Sequence, residues 1–167
     1  MAERLFPPDL TQQAIAVLDL YRARGLHIAT AESCTGGLIA GCLTEIAGSS
    51  DVFDRGMVTY SNPAKSEQLG VPMDLIEHQG AVSEAVVRAM ADGALARSNA
   101  DVAVAVTGVA GPGGGNAEKP VGLVHFGLAA RDRETTATRS IFIGDRAQVR
   151  LETVRSALEL LAKAAES

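Results

Sequence analysis

The 167-residue sequence predicts an α/β fold, a mixed and mostly parallel sheet flanked by helices in three layers. Three observations predict it. Short apolar runs alternate with segments of helical period from about residue 10 to residue 107. One run, Asp101–Thr107, is apolar on both faces, as a strand covered by helices on both sides must be. The last third carries two strand-like runs joined by a polar turn, which adds an antiparallel hairpin to the sheet. The expectation is one domain over residues 1–167 with its core within about 10–160.

The elements follow in order. Residues 1–8 form a lead-in ending at Pro7-Pro8, and Asp9 caps the first helix with Gln12 in the capping-box position. Leu10, Ala14, Val17, Leu18 and Tyr21 lie on one helical face, and Gly25 stops the helix. A strand over about 26–31 feeds Glu32-Ser33-Cys34-Thr35-Gly36-Gly37, and a helix over about 35–47 follows until Gly48-Ser49-Ser50-Asp51 breaks it. Phe53–Tyr60 reads as the second strand. Ser61-Asn62-Pro63 opens a short helix ending near Leu69, and Asp74 starts another after Gly70-Val71-Pro72. Ser83 caps a helix over about 84–98 with Val86, Val87, Met90, Ala94 and Leu95 on its apolar face. After the strand 101–107 comes a glycine-rich stretch, Gly108–Pro120. Strands at Val121–Ala130 and Thr135–Ile143 flank the turn Arg131-Asp132-Arg133, and Asp145 with Gln148 caps a last helix to about Ala164.

Composition narrows the function. At 47% hydrophobic and 21% charged the chain is globular, and its length supplies one full core but not two. A net charge of -5 lacks the basic footprint that nucleic-acid binding requires. No secretory pattern opens the chain and no apolar run spans a bilayer, so a cytoplasmic location is expected, with Cys34 and Cys42 reduced and no membrane partner. His27, His78 and His125 are scattered, and no His-x-x-x-His or Cys-x-x-Cys pair exists. No metal site and no cofactor are expected.

Three loops follow strand ends, at 32–37, 60–65 and 107–115, and ligand sites in open α/β sheets lie beyond the carboxyl ends of strands. Ser33 stands just past a strand, at the start of a helix whose N–H groups can hold an oxyanion or a phosphate. The competing reading is an ordinary cap. Cys34 reads as a small buried residue rather than a nucleophile. Tyr60 and Lys65 form a candidate acid/base pair, since a buried lysine loses its charge and can take a serine proton. Pro63 between them, and the lack of Gly-x-Gly-x-x-Gly, exclude a dinucleotide-dependent dehydrogenase. The 107–115 loop lacks the Gly-Lys-Ser/Thr ending of a P-loop, yet its glycines can form an anion-binding nest or simply a surface loop. Arg146 in Gly144-Asp145-Arg146 can clamp a phosphate, whereas Arg150 reads as an exposed helical residue.

Six stretches then stand in one order: Thr30–Gly37, Ala47-Gly48-Ser49-Ser50, Thr59-Tyr60-Ser61-Asn62-x-x-Lys65, Gly80-Ala81-Val82-Ser83, Thr107-Gly108-x-Ala110-Gly111-Pro112 and Lys119-Pro120-Val121-Gly122. On these the chain resembles the CinA C-terminal domain family over about residues 10–160. The resemblance implies a stand-alone α/β domain, without the additional N-terminal domain of larger fused relatives. It also implies metal-independent hydrolysis of the carboxamide of nicotinamide mononucleotide to nicotinic acid mononucleotide and ammonia, in NAD recycling. Carried over, Ser33 is the nucleophile, Lys65 its general base, and Tyr60 assists proton transfer, with Thr107 at a further active-site position. Gly108, Gly111 and Gly113 line the pocket, and Arg146 contacts the phosphate. Cys34 and Thr35 N–H groups, beside Gly36, would hold the oxyanion. A homodimer or higher homo-oligomer is expected. Two other readings remain at this stage: an amidase for a different small amide, and a non-catalytic nucleotide-binding or regulatory protein.

Overall fold

The structure, a computed structural model, describes residues 4–167. Five strands form one sheet in the order β2-β1-β3-β4-β5. They are β1 (Ile28–Glu32), β2 (Phe53–Val58), β3 (Val102–Gly108), β4 (Leu123–Ala130) and β5 (Thr136–Ile141). β1 pairs in parallel with both β2 and β3, so three strand ends open on the same edge. β4 runs antiparallel between β3 and β5. Four of the five strands therefore point the same way.

The helices are α1 (Pro8–Arg24), α2 (Leu38–Thr44), α3 (Asn62–Leu69), α4 (Met73–Gln79), α5 (Glu84–Ala96) and α6 (Arg146–Glu166). Successive strand residues face opposite sides, and here the two sides differ in size. Ile28, Val102, Val104, Val106, Val124 and Phe126 face a core with α1, α2 and α6. Ala29, Ala31, Ala103, Ala105 and Ala129 face α5 and the ends of α3 and α4. The alanine face lets α5 lie close to the sheet: a Cβ on Gly127 would sit 2.5 Å from the Val87 carbonyl oxygen. α5 approaches α3 just as closely, since a Cβ on Gly93 would be 2.0 Å from the Leu69 carbonyl oxygen.

Several boundaries differ from the sequence reading. Asp9 is not the cap of α1. Pro8 occupies the first helical position, where its missing N–H and fixed φ are tolerated, and Asp9 instead binds Arg155 at 2.6 Å. β1 starts at Ile28, so His27 is not a strand residue; its N–H donates to the Asp101 carboxyl. α2 spans only Leu38–Thr44, because Gly36 and Gly37 adopt φ of +57° and +100° and hold a turn ahead of it. β2 ends at Val58 and β5 at Ile141, leaving Ile143 96% exposed. Ser83 and the Asp145–Gln148 capping box stand as expected.

The tight α3–α5 crossing fixes the helix that carries Lys65. Gly93→Ala is expected to destabilise the protein by about 3 kcal/mol through overpacking, read as a lower urea midpoint with an unchanged denaturant slope.

Candidate active site

The site grows from the end of β1. The parallel ladder continues one bond past the strand, with the Ser33 N–H donating to Val106 O at 3.1 Å. Alternation then sends Glu32 and Ser33 to opposite faces. Glu32 points with Ile28 and Thr30 toward α2 and α6. Ser33 falls on the face of Ala29 and Ala31, where α3 lies.

Glu32 is fully buried. Its carboxyl accepts from the Thr35 hydroxyl at 2.6 Å and from the N–H groups of Ile39 and Ala40 at 2.8 and 3.0 Å. A buried carboxyl without partners would be strongly destabilising. Here three donors satisfy it, and in return it caps the start of α2. The helix terminus expected to hold a ligand is thus occupied by the protein's own side chain.

Lys65 comes from the first turns of α3, which Ser61 caps by accepting from the Ala64 N–H at 3.2 Å. Its side chain is 1% exposed. The Nζ lies 3.0 Å from Ser33 Oγ and donates to Thr59 O at 2.7 Å. Among the described residues no Asp or Glu forms an ion pair with it. Burial lowers its pKa from the ordinary lysine value, only partly opposed by Cys34. Desolvation shifts Lys65 toward the neutral amine relative to an exposed lysine, the direction in which an amine becomes able to take a hydroxyl proton. Cys34 is buried, and desolvation pushes its thiol up to about 11, so it stays protonated near neutral pH.

A cavity of about 210 Å³ opens over this pair, lined by Ser33, Cys34, Tyr60, Lys65, Thr107 and Arg146 among others. Thr107, one residue before the end of β3, donates to Ala81 O at 2.8 Å, which fixes the Gly80–Ser83 loop as one wall. Lys119 donates to Gln79 O at 2.9 Å, at the end of α4 just ahead of that loop. Arg146, at the first position of α6, donates to Gly111 O and to the Tyr60 hydroxyl, both at 2.9 Å. It separates this cavity from an apolar one of about 460 Å³ bounded by Ala110, Pro112, Val121 and the start of α6.

The chain is similar to known proteins along most of its length. Residues 10–165 match the CinA C-terminal domain. The chain belongs to the CinA C-terminal domain family. It is 55% identical to "Nicotinamide-nucleotide amidohydrolase PncC" of Enterobacter agglomerans over 83% of this chain and 84% of that one. It is 48% identical to the protein of the same name in Escherichia coli K12, over 92% of this chain and 93% of that one. A CinA-like protein of Geotalea daltonii is 48% identical over 96% of the chain, which spans only 39% of that longer relative. The crystal structure of the competence/damage inducible protein CihA from Agrobacterium tumefaciens superimposes with a TM-score of 0.94 at 52% identity, covering 100% of both chains.

Within this CinA domain the fold gathers Ser33, Cys34, Tyr60, Lys65, Thr107, Gly108 and Arg146 around one cavity. Thr35, fully buried, and Gly36, exposed, follow Ser33 in the turn and stand outside the cavity lining. Gly111 contributes its carbonyl to Arg146, while Gly113 is exposed and stands outside the lining. Tyr60 is bonded to Arg146 rather than to Lys65. Arg150, read from sequence as an exposed residue, is instead half-buried and donates to Cys34 O at 3.2 Å and Thr35 O at 3.0 Å. Glu32 was missed altogether. Its signal was a single charge closing a wholly buried strand. Among the described residues, no group of three or more His, Cys, Asp or Glu side chains could hold a metal ion, and no helix is long and apolar enough to cross a membrane.

Glu32→Gln places an amide NH₂ against N–H or hydroxyl donors. It is expected to cost about 2–3 kcal/mol, measured by equilibrium denaturation.

Proposed function

We propose that the protein hydrolyses the carboxamide of nicotinamide mononucleotide to nicotinic acid mononucleotide and ammonia through a Ser33–Lys65 acyl-enzyme mechanism, in NAD recycling. The observation that carries the mechanism is the 3.0 Å approach of a buried, carboxylate-free Lys65 Nζ to Ser33 Oγ. The substrate class rests on the likeness to the two amidohydrolases named above. A ligand-binding module has no use for a desolvated lysine beside a serine, so this geometry favours hydrolysis over a purely regulatory role.

In the first half-reaction Ser33 Oγ attacks the amide carbon as its proton passes to the neutral Lys65 amine. The carbonyl oxygen becomes the oxyanion, held by the N–H groups of Cys34 and Thr35. One such donor is worth about 3–4 kcal/mol. Protonated Lys65 then gives its proton to the departing nitrogen, and ammonia leaves an acyl-Ser33 ester. In the second half water attacks that ester while Lys65 takes its proton. Collapse expels Ser33, which recovers a proton from Lys65, and the acid is released.

The reactive cavity alone is smaller than typical ligand pockets of about 300–1,000 Å³. It suits the ring and its amide, with the ribose phosphate reaching Arg146 and the adjoining cavity. Arg146 spends two bonds on Gly111 and Tyr60, leaving further guanidinium N–H groups for a phosphate. Tyr60, 61% exposed, stands at the mouth and steadies that guanidinium.

Release of ammonia and nicotinic acid mononucleotide from nicotinamide mononucleotide, with no metal added, tests the proposal. Wild type is expected to be active, Ser33→Ala to fall to background, and Lys65→Ala to lose about 10²–10⁴-fold in kcat. A folded but inactive wild type would reject this substrate. Because burial lowers the Lys65 pKa, kcat/KM should rise with pH through a value below that of ordinary lysine and fall on the acid side, where the amine is charged. Arg146→Ala should raise KM for the mononucleotide about tenfold or more. It should leave the phosphate-free riboside nearly unaffected, as steady-state kinetics on both would show.

A further inference from the structure

We propose that Arg150 is a positioning residue that sets the peptide planes of the Ser33–Gly36 turn and so aims its N–H groups at the reacting carbonyl, an inference that rests on the Ser33 hydrolase reading. The argument starts from peptide planarity: the N–H and C=O of one trans peptide point in opposite directions. Arg150 reaches from α6 and binds two successive carbonyls, Cys34 O through Nε and Thr35 O through Nη2. Cys34 C=O shares its peptide with Thr35 N–H. Turning that carbonyl toward α6 turns the Thr35 N–H away from α6, to the side of the sheet where Ser33 and Lys65 stand. Ser33 C=O is likewise engaged by the Gly36 N–H at 3.0 Å, which fixes the peptide that carries the Cys34 N–H. Among the described residues, neither the Cys34 nor the Thr35 N–H is bonded to a backbone carbonyl, and the Cys34 N–H faces its own sulfur.

The turn needs such a clamp. Gly36 and Gly37 both hold positive φ, so a flip of the Thr35–Gly36 peptide, whose carbonyl Arg150 binds, meets little steric resistance. Glu32 fixes the Thr35 side chain and the start of α2, but it makes no bond to the carbonyls of the turn. Among the described side chains Arg150 does so: it shares Thr35 O with the Leu38 N–H at 3.1 Å and is the donor on Cys34 O, and the planar fork of its guanidinium matches two adjacent oxygens as a lysine ammonium cannot. A Cβ on Gly36 would lie 3.4 Å from Arg150 Nη2, so the guanidinium also packs directly on the turn.

The test pairs nicotinamide mononucleotide turnover with the rate at which a fluorophosphonate labels Ser33, read by mass spectrometry. The probe's phosphoryl oxygen takes the oxyanion position, so labelling senses the donors without requiring the proposed substrate. Wild type, Arg150→Ala, Arg150→Lys and a Ser33→Ala control are compared, each checked by thermal melting. Arg150→Ala is expected to label about 10²-fold more slowly, with kcat reduced in parallel and KM changed by less than about threefold. Arg150→Lys should remain at least about tenfold slow, and millimolar guanidinium should accelerate Arg150→Ala. If Arg150→Ala does not fold, Arg150→Lys carries the comparison. Wild-type labelling rates in the folded variants would overturn the inference and leave the hydrolase reading standing. A wild type that labels without hydrolysing the mononucleotide, together with a slow Arg150→Ala, would support the inference and reject the substrate. A wild type that does not label at Ser33 would overturn both.

Discussion

The proposed chemistry depends on a lysine kept out of water, with no Asp or Glu paired to it among the described residues. Lys65 has a hydroxyl and a carbonyl as partners, and neither stabilises an ammonium as a carboxylate would. The surroundings follow from that constraint. α5 lies close on the alanine face of the sheet and meets α3 at Gly93, and that packing holds α3 where the amine is buried. The acid that the site does contain, Glu32, lies on the opposite face of β1 and is engaged by α2. In the proposed mechanism, a carboxyl beside Lys65 would hold the proton that Ser33 has to release.

Scaffold and chemistry are separated by the two-residue period of a single strand. Glu32 builds the floor of the turn and Ser33 works above it. The same logic holds on the other elements. Thr107 near the end of β3 spends its hydroxyl on a loop carbonyl, making a wall of the Gly80–Ser83 segment. α6 sends Arg150 inward to the Ser33 turn and Arg146 to the rim, one helical turn apart. The cavity is thereby tied to both helical layers, although the proposed reactive groups come from the turn after β1 and from α3.

Much of this was legible in the chain. The alternation of apolar runs and helical segments predicted the mixed sheet, and the three loops after strand ends predicted the location of the cavity. Boundaries failed where backbone chemistry outweighed pattern. Pro8 started α1 ahead of Asp9, and positive-φ glycines delayed α2 to Leu38. Arg150 was misread because spacing on a helix tells which residues share a face, not what that face meets. Glu32 escaped notice because a lone acid at a strand end has no signature until the helix it caps is in place.

By itself the sequence determined the order and kind of the elements, the family, and the residue types available for chemistry, because periodicity, turn residues and composition are local properties of a chain. Only the tertiary structure decided which charges matter. It brought Lys65 to Ser33 across 32 residues of sequence and Arg150 to Cys34 across 116. It exposed Tyr60 and bonded it to Arg146. The reason is physical: the protonation of an amine and the orientation of a peptide depend on burial and on partners distant in the chain. Those are fixed when helices close on the two faces of the sheet.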